Sequence, residues 1–391
     1  MTPPDTARVP WRSRTVQVVL LSTALAPLGV PLVSPALPAF RDAFGLTDAQ
    51  ASLLVSGYFV VGVFLSPFIG LLADRIGRKR VLVAGLVTFG LLGGAIAVAP
   101  SFPVVLALRV GQGTGAAAIF ITTVTLVGDS YEGTQRAAVL GVNVAVLSAA
   151  AAVFPVVGGV LVTVAWNAPF LTYLAALPVA LFAAVALDEP RRTAGERGLA
   201  YLGAALRTVT TPPTMALFGA TFLTEFLAFG VVFTALPFLL APAVSPVAIG
   251  AVLLTAKVVS VFTSAATGRL SRSFSPGRLV ALGFAGYAVG FAGAWAASAS
   301  PVATAVAVVF VGAGVGVLLP NVDAAVTARV PPAYRAGALS LRNSTTFLGR
   351  ATGPVVFVGL AVTAGVGYTR LLLAAGVVAA VASAAAAVLS R

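Results

Sequence analysis

Three ionisable side chains fall deep inside long apolar runs of this sequence: Glu225, Lys257 and Arg350. A fourth, Arg109, lies in the outer half of a similar run. A charge at the centre of a bilayer costs ~2.5–3.5 kcal/mol even on the gentler insertion scale, so such groups face a protein interior and pair with one another. Glu225 is the one acid near mid-depth, and the chain has no histidine and no cysteine. Thiol chemistry, disulfides, ordinary zinc sites and histidine relays are therefore excluded, and any proton chemistry rests on carboxylates. Glu225 can carry a proton in competition with substrate and with the cation of Lys257 or Arg350. The alternative is a fixed pair that only holds helices together. Lys257 and Arg350 can instead receive an anionic substrate. Arg342, two turns into the run that holds Arg350, is expected to snorkel to the water interface.

These side chains need apolar elements long enough to bury them. The 391 residues are 59% hydrophobic and only 9% charged, with 40 glycines and 25 prolines. A soluble domain carries about 25% charged residues, so this composition is that of a polytopic membrane protein. Twelve runs reach the length that a ~30 Å hydrocarbon core demands: 15–39, 49–72, 80–99, 103–127, 137–162, 166–187, 214–240, 247–268, 278–298, 302–325, 337–360 and 367–389. The first follows Arg8, Arg12 and Arg14 as a signal peptide would, but it is too long and too rich in proline for one, and it is read as a retained span. Connections are short, so neighbours are antiparallel. The longest polar stretch, 188–213, separates six spans (1–187) from six (214–391).

With the N-terminus in the cytoplasm, Arg8, Arg12, Arg14, Arg75, Arg78, Lys79, Arg80, Arg136, Arg191, Arg192, Arg197, Arg207, Arg269, Arg272, Arg278, Arg329, Arg335 and Arg391 all lie inside, and only Arg41 and Arg370 lie outside. This positive-inside bias predicts a multi-pass plasma-membrane protein with both termini cytoplasmic. It also accounts for most of the net charge of +13 without a nucleic-acid partner. The expected partners are the bilayer and a small molecule, the expected state is a monomer, and no metal or cofactor is expected.

The two halves repeat. At one offset of 199, Pro38 meets Pro237, Gly113 meets Gly312, Arg136 meets Arg335 and Pro155 meets Pro354; "ALP" at 36–38 recurs at 235–237. This predicts an all-α membrane fold of two six-helix bundles related by an axis along the membrane normal. Four prolines in span 1, Pro27, Pro31, Pro35 and Pro38, free backbone carbonyls there. Irregular backbone at that depth is tolerated where it lines a cavity or is covered by protein. Phe222, Phe226, Phe229 and Phe233 follow one helical face beside Glu225, and with Phe120 they are candidates for a pocket wall, or for ordinary packing.

The stretch "GLLADRIGRKR", Gly70–Arg80, holds Asp74, Arg75, Gly77 and Arg78 and resembles the loop 2–3 signature of the major facilitator superfamily. "RVGQGTGAA", with Arg109, Gln112, Gly113 and Gly115, resembles the span-4 motif of its twelve-span drug:proton antiporters. "LGVPLVSPALP", with Pro35 and Pro38, resembles their span-1 motif. The span-5 stretch "AAAAVFPVVGG" keeps Pro155, Gly158 and Gly159 but has Ala150 and Phe154 where that family has glycine, so looser packing of span 5 is expected. The second half keeps Gly353-Pro354 but has no acid in "GRLSRSFSPGR".

The resemblance covers the whole chain. It implies alternating access with spans 1, 4, 7 and 10 around the cavity, a coupling role for Arg109, and proton-driven export of a small, largely apolar compound. A symporter or uniporter for an organic anion, using Lys257 and Arg350, is the rival in the same fold. A non-transporting sensor is the rival of another class. An enzyme is not expected, since no nucleophile–base pair, metal cluster or phosphate loop is present. Asp74 is expected to latch onto the start of span 11 and onto Arg342 when the cytoplasmic ends of the halves meet. Gly70 would give span 11 room to approach. Asp129 and Asp323 are expected to be charged helix ends.

Overall fold

A computed structural model describes residues 8–189 and 199–389. Arg191, Arg192, Arg197 and Arg391, counted above among the inside charges, lie outside the described residues. Among the described residues eleven helices are long and apolar enough to cross a membrane: spans 2 to 6 (Asp48–Ile76, Arg78–Val98, Phe102–Ser130, Gly133–Val164, Ala168–Ala186) and spans 7 to 12 (Pro212–Leu240, Pro246–Leu270, Pro276–Ala296, Pro301–Arg329, Pro332–Val362, Tyr368–Val388). The twelfth, span 1, is not one helix. It runs Arg14–Leu25, breaks into 3-10 turns at Ala26–Leu28 and Ser34–Ala36, and resumes at Leu37–Phe44. Its prolines supply the break, each lacking the N–H that an α-helix needs.

The start signals are local. Thr47 and Gln50 form a reciprocal cap on span 2. Spans 8, 9 and 10 each begin with a Ser-Pro pair. The hydroxyls of Ser245, Ser275 and Ser300 accept from the N–H groups of Ala248, Arg278 and Ala303, and the proline fills the first helical position. The linker, expected as a polar connection, contains a helix over Leu199–Val209. Ala205 and Val209 are buried, and Tyr201 donates to the carbonyl of Ala333 at the start of span 11.

Buried side chains form two large clusters, one centred on each half, and the first reaches across to Phe229, Phe238 and Phe347 of the second. Within each bundle the helices meet through glycine at repeat-related places. A Cβ on Gly115 would sit 2.6 Å from the carbonyl oxygen of Gly85, and one on Gly314 would overlap that of Gly283. Gly113 abuts the Tyr58 carbonyl and Gly312 that of Ala256 in the same way.

The halves are joined at the face opposite the basic loops. Tyr368 donates to Asp48 at 2.6 Å, Arg41 pairs with Asp48 at 2.7 Å, and Phe238 stacks on Tyr368 beneath the Arg41 guanidinium. There spans 5 and 8 touch backbone to backbone. A Cβ on Gly159 would lie 2.5 Å from the Pro246 oxygen, Gly250 faces the Pro155 carbonyl, and Gly158 faces that of Leu32 in span 1. The expected loosening of span 5 is thus not found: Phe154 turns into the apolar cluster of the first half and leaves this contact clear. Toward the basic face, a Cβ at Gly70, Gly141 or Gly268 would meet nothing within 4 Å. Among the described residues nothing packs against Gly70 in this conformation, contrary to the expected close packing. Nearer the basic side spans 2 and 11 also meet: Gly62 packs against the Phe347 ring, and the Ser340 hydroxyl lies 3.5 Å from the Ser66 carbonyl.

Candidate functional site

Two broken elements build the centre. In span 7 the helix Pro212–Leu227 gives way to a π-helix over Ala228–Ala235 before closing as Leu236–Leu240. Pro237 has no N–H to offer the Phe233 carbonyl, and the hydroxyl of Ser34 donates to that carbonyl instead, at 2.5 Å. Ser34 and Phe233 are 199 residues apart, the offset of the repeat, so the break in span 1 and the π-helix in span 7 meet across the pseudo-twofold axis. The wider winding also changes which aromatics face inward. Phe222 and Phe226 stack together against Phe357 of span 11, whereas Glu225, Phe229 and Phe233, at steps of four, line the cavity. The single stripe expected from a 3.6 period is therefore split.

The cavity between the halves encloses about 190 Å³. Span 1 contributes Pro27 and Pro31 to its wall; spans 2 and 4 contribute Tyr58, Phe59 and Phe120. The first half thus presents only apolar and aromatic surface with one phenol, and every charge comes from the second half: Glu225, Lys257 and Arg350. Arg350 grips Glu225 with both arms, Nε to Oε2 at 2.9 Å and Nη2 to Oε1 at 3.1 Å. The Glu225 side chain is 5% exposed and that of Arg350 25%. A carboxylate so deep must be paired to stay charged, and the planar fork of arginine matches it. The guanidinium carbon also lies 4.8 Å from the ring centre of Phe229 and 5.5 Å from that of Phe59. Phe59 belongs to the other half, so one cation ties the carboxylate of span 7 to the opposite bundle. Lys257 shares the wall and, among the described residues, makes no ion pair.

Arg109 is brought elsewhere. It is fully buried within the first half, with none of its atoms at the cavity wall. It donates to the Leu54 carbonyl at 3.0 Å, to Gln112 at 2.7 Å, to the Tyr173 hydroxyl at 3.1 Å and to the Gly29 carbonyl, and it lies over the Tyr58 ring. Tyr173 in turn donates to the Leu28 carbonyl at 2.8 Å. Carbonyls freed by the proline break in span 1 are therefore covered by Arg109 and Tyr173, while Pro27 and Pro31 face the cavity. Pro35 lies in a 3-10 turn and Pro38 opens the last helical piece of the span.

At the basic face Gly77 takes φ +106° between spans 2 and 3, a conformation that suits glycine alone. Arg78 pairs with Asp74 and, at 2.8 Å, with Asp129 of span 4, while the Arg75 side chain points outward. Glu189 caps span 3 by accepting from the N–H groups of Arg78 and Lys79. In this conformation Asp74 is thus held by Arg78, not by span 11 or Arg342. Arg342 departs from expectation too. Rather than snorkelling outward, it pairs with Asp323 of span 10 and donates to Thr346 at 3.2 Å. Asp323 lies two turns inside span 10, at the depth of Arg342, so a local opposite charge holds one arm of the guanidinium, while its buried Nε makes no hydrogen bond among the described residues. Tyr58, Phe59 and Phe347 at the cavity had no signal in the sequence, because aromatic residues in an apolar span read alike wherever they face.

A family profile described as the Major Facilitator Superfamily matches residues 19–354 and, in a second match, 217–391. The chain belongs to this superfamily. As a member it is a multi-pass membrane protein of a transporter family, not of an enzyme family. It is 28% identical over 183 residues to the quinolone resistance protein NorA of Staphylococcus aureus (strain MRSA252), covering 46% of this chain and 47% of that protein. It is 31% identical over 221 residues to the lincomycin resistance protein of Streptomyces lincolnensis, covering 55% and 44%. The matches thus span about half the length of these relatives. Among solved structures, a bacterial homolog of the human lysosomal transporter Spinster, in an inward-facing and occupied conformation, superimposes with a TM-score of 0.78 at 19% identity over 98% of this chain and 97% of that one. A D-xylose–proton symporter gives 0.78 at 15% identity over 95% and 96%. These establish the fold.

Proposed function

We propose that this transporter exports a small, largely apolar compound across the plasma membrane in exchange for protons, by rocking of the halves 1–187 and 214–391, with both termini in the cytoplasm. The observation that carries this reading is the buried Glu225–Arg350 pair in a cavity shut at the face opposite the basic loops. Protonation of Glu225 neutralises the carboxylate and releases Arg350, which also holds Phe59 of the other half. The proton state is thereby tied to a contact between the halves, which is what coupling requires. The aromatic walls supply apolar surface for the compound, and the drug-resistance relatives agree with export. The contacts of Arg109 support a positioning role, holding the broken span 1 against spans 2 and 6. A second reading, movement of an organic anion together with protons, is favoured by one observation: Lys257 leaves the cavity with one cation in excess. Proteoliposomes with an imposed pH gradient, loaded with cationic, neutral or anionic compounds of one aromatic skeleton, separate the two. Extrusion of the neutral or cationic compound against the gradient supports exchange. Accumulation of the anion with protons supports the second reading, and no pH dependence for any of them removes the role of Glu225.

A further inference from the structure

Away from the central cavity, two grooves open on the membrane-facing side of the first half. One, of about 540 Å³, runs between spans 2, 3 and 4; its walls include Phe68 and Leu72, its floor is Gly85 and Ala118, and Arg75 stands at its basic end. The other, of about 520 Å³, runs along the opposite side of span 3 toward Ala184 of span 6, with Lys79 and Arg80 at its end. Ala84 and Thr88 line both, so the two grooves flank span 3 like the sides of a saddle. The first turn of span 3 lies where they meet. Arg78 is turned inward to Asp74 and Asp129, and Glu189 occupies the backbone N–H groups of that turn. Lys79 and Arg80, in that first turn, line the second groove at its end.

We propose that this saddle is a binding site for one anionic phospholipid of the surrounding leaflet, with an acyl chain in each groove and its phosphodiester on Lys79 and Arg80. A molecule that fills it needs two apolar tails joined at a negatively charged centre, since the grooves are apolar along their length and basic only where they converge. A zwitterionic lipid fits the grooves equally well but brings its own cation to the basic end. Basic pockets between spans at the cytoplasmic side recognise acidic headgroups for this reason. The site is separate from the transport cavity and does not depend on what that cavity carries.

The test is native mass spectrometry of the full chain, released from micelles holding equal amounts of phosphatidylglycerol and phosphatidylcholine with identical chains. One phosphatidylglycerol retained in preference is expected. The variant Lys79→Gln/Arg80→Gln should lower that preference about 25-fold, at about fivefold per cation near the headgroups. Ala84→Trp changes no charge, fills the exposed wall common to both grooves, and should abolish retention. Arg269→Gln/Arg272→Gln removes the same charge from another basic loop and should leave retention intact. Equal retention of the two lipids, or equal loss in the Arg269/Arg272 variant, would overturn the site.

Discussion

Glu225 and Arg109 are both deep in the membrane, yet their surroundings give them different duties. Glu225 has one partner that also touches the other half; Arg109 has four acceptors within its own half. Glu225→Gln is expected to abolish substrate-driven proton release by the purified protein. It also leaves Arg350 without its bidentate acceptor, at a cost of about 1–3 kcal/mol, moderated because Arg350 is a quarter exposed. Unaltered proton release would sink the carrier role and leave a static pair. Arg109→Lys keeps the charge but replaces a rigid five-donor fork with one ammonium. Each lost charge-assisted bond is worth about 1.5–3 kcal/mol, so thermal unfolding in detergent should move down by several degrees. If it does not, the carbonyls of span 1 are satisfied by some other route.

Among the elements, the pairing of spans 5 and 8 is governed by glycine at Gly159 and Gly250. Gly159→Leu places atoms where the Pro246 carbonyl sits and should hold the far face open. Labelling of a cysteine at Val30 from that side should rise. The chain has no cysteine of its own, so the background is clean. Phe154→Gly should change little, since span 5 already reaches its neighbour; a clear rise in cross-linking between spans 5 and 8 would show that Phe154 does restrain it. The positions of the spans and the proline break of span 1 were legible in the sequence because they depend on local chemistry. The π-helix was not. It answers to Ser34, which is 199 residues away, and to the close approach of Gly230 to Gly353.

For the whole molecule, the balance between states depends on contacts at its two faces. Asp48→Asn with Tyr368→Phe removes the hydrogen bond that joins the halves opposite the basic loops. At about 1.5–3 kcal/mol for a hydrogen bond to a charged group, the outward-open population should rise at least tenfold. Distances between spin labels on the far ends of spans 1 and 7 would report it, and an unchanged distribution would assign the closure to the glycine contacts alone. At the basic face Arg78 joins Asp74 on span 2 to Asp129 on span 4. Arg78→Gln should therefore impair transport at least as much as Asp74→Asn, despite the cations of Lys79 and Arg80 beside it. A mild Arg78 variant beside a severe Asp74 variant would restore the idea that Asp74 acts on span 11.

Apolar length, the placement of charge and the 199-residue repeat determined by themselves that this chain is a polytopic bundle with two related halves, because a bilayer imposes one rule on every span. The depth of Glu225, Lys257 and Arg350 followed from the same count. Partner choice did not. Three cations, Lys257, Arg342 and Arg350, were each within plausible reach of a carboxylate, and side-chain contact at a few ångströms depends on rotation of helices about their axes. Only the tertiary structure decided that Arg350 takes Glu225 and reaches Phe59, that Arg342 takes Asp323, and that Arg109 serves the broken backbone of span 1. Those rotations are settled by glycine contacts between helices far apart in the chain, a physical constraint that no local pattern encodes.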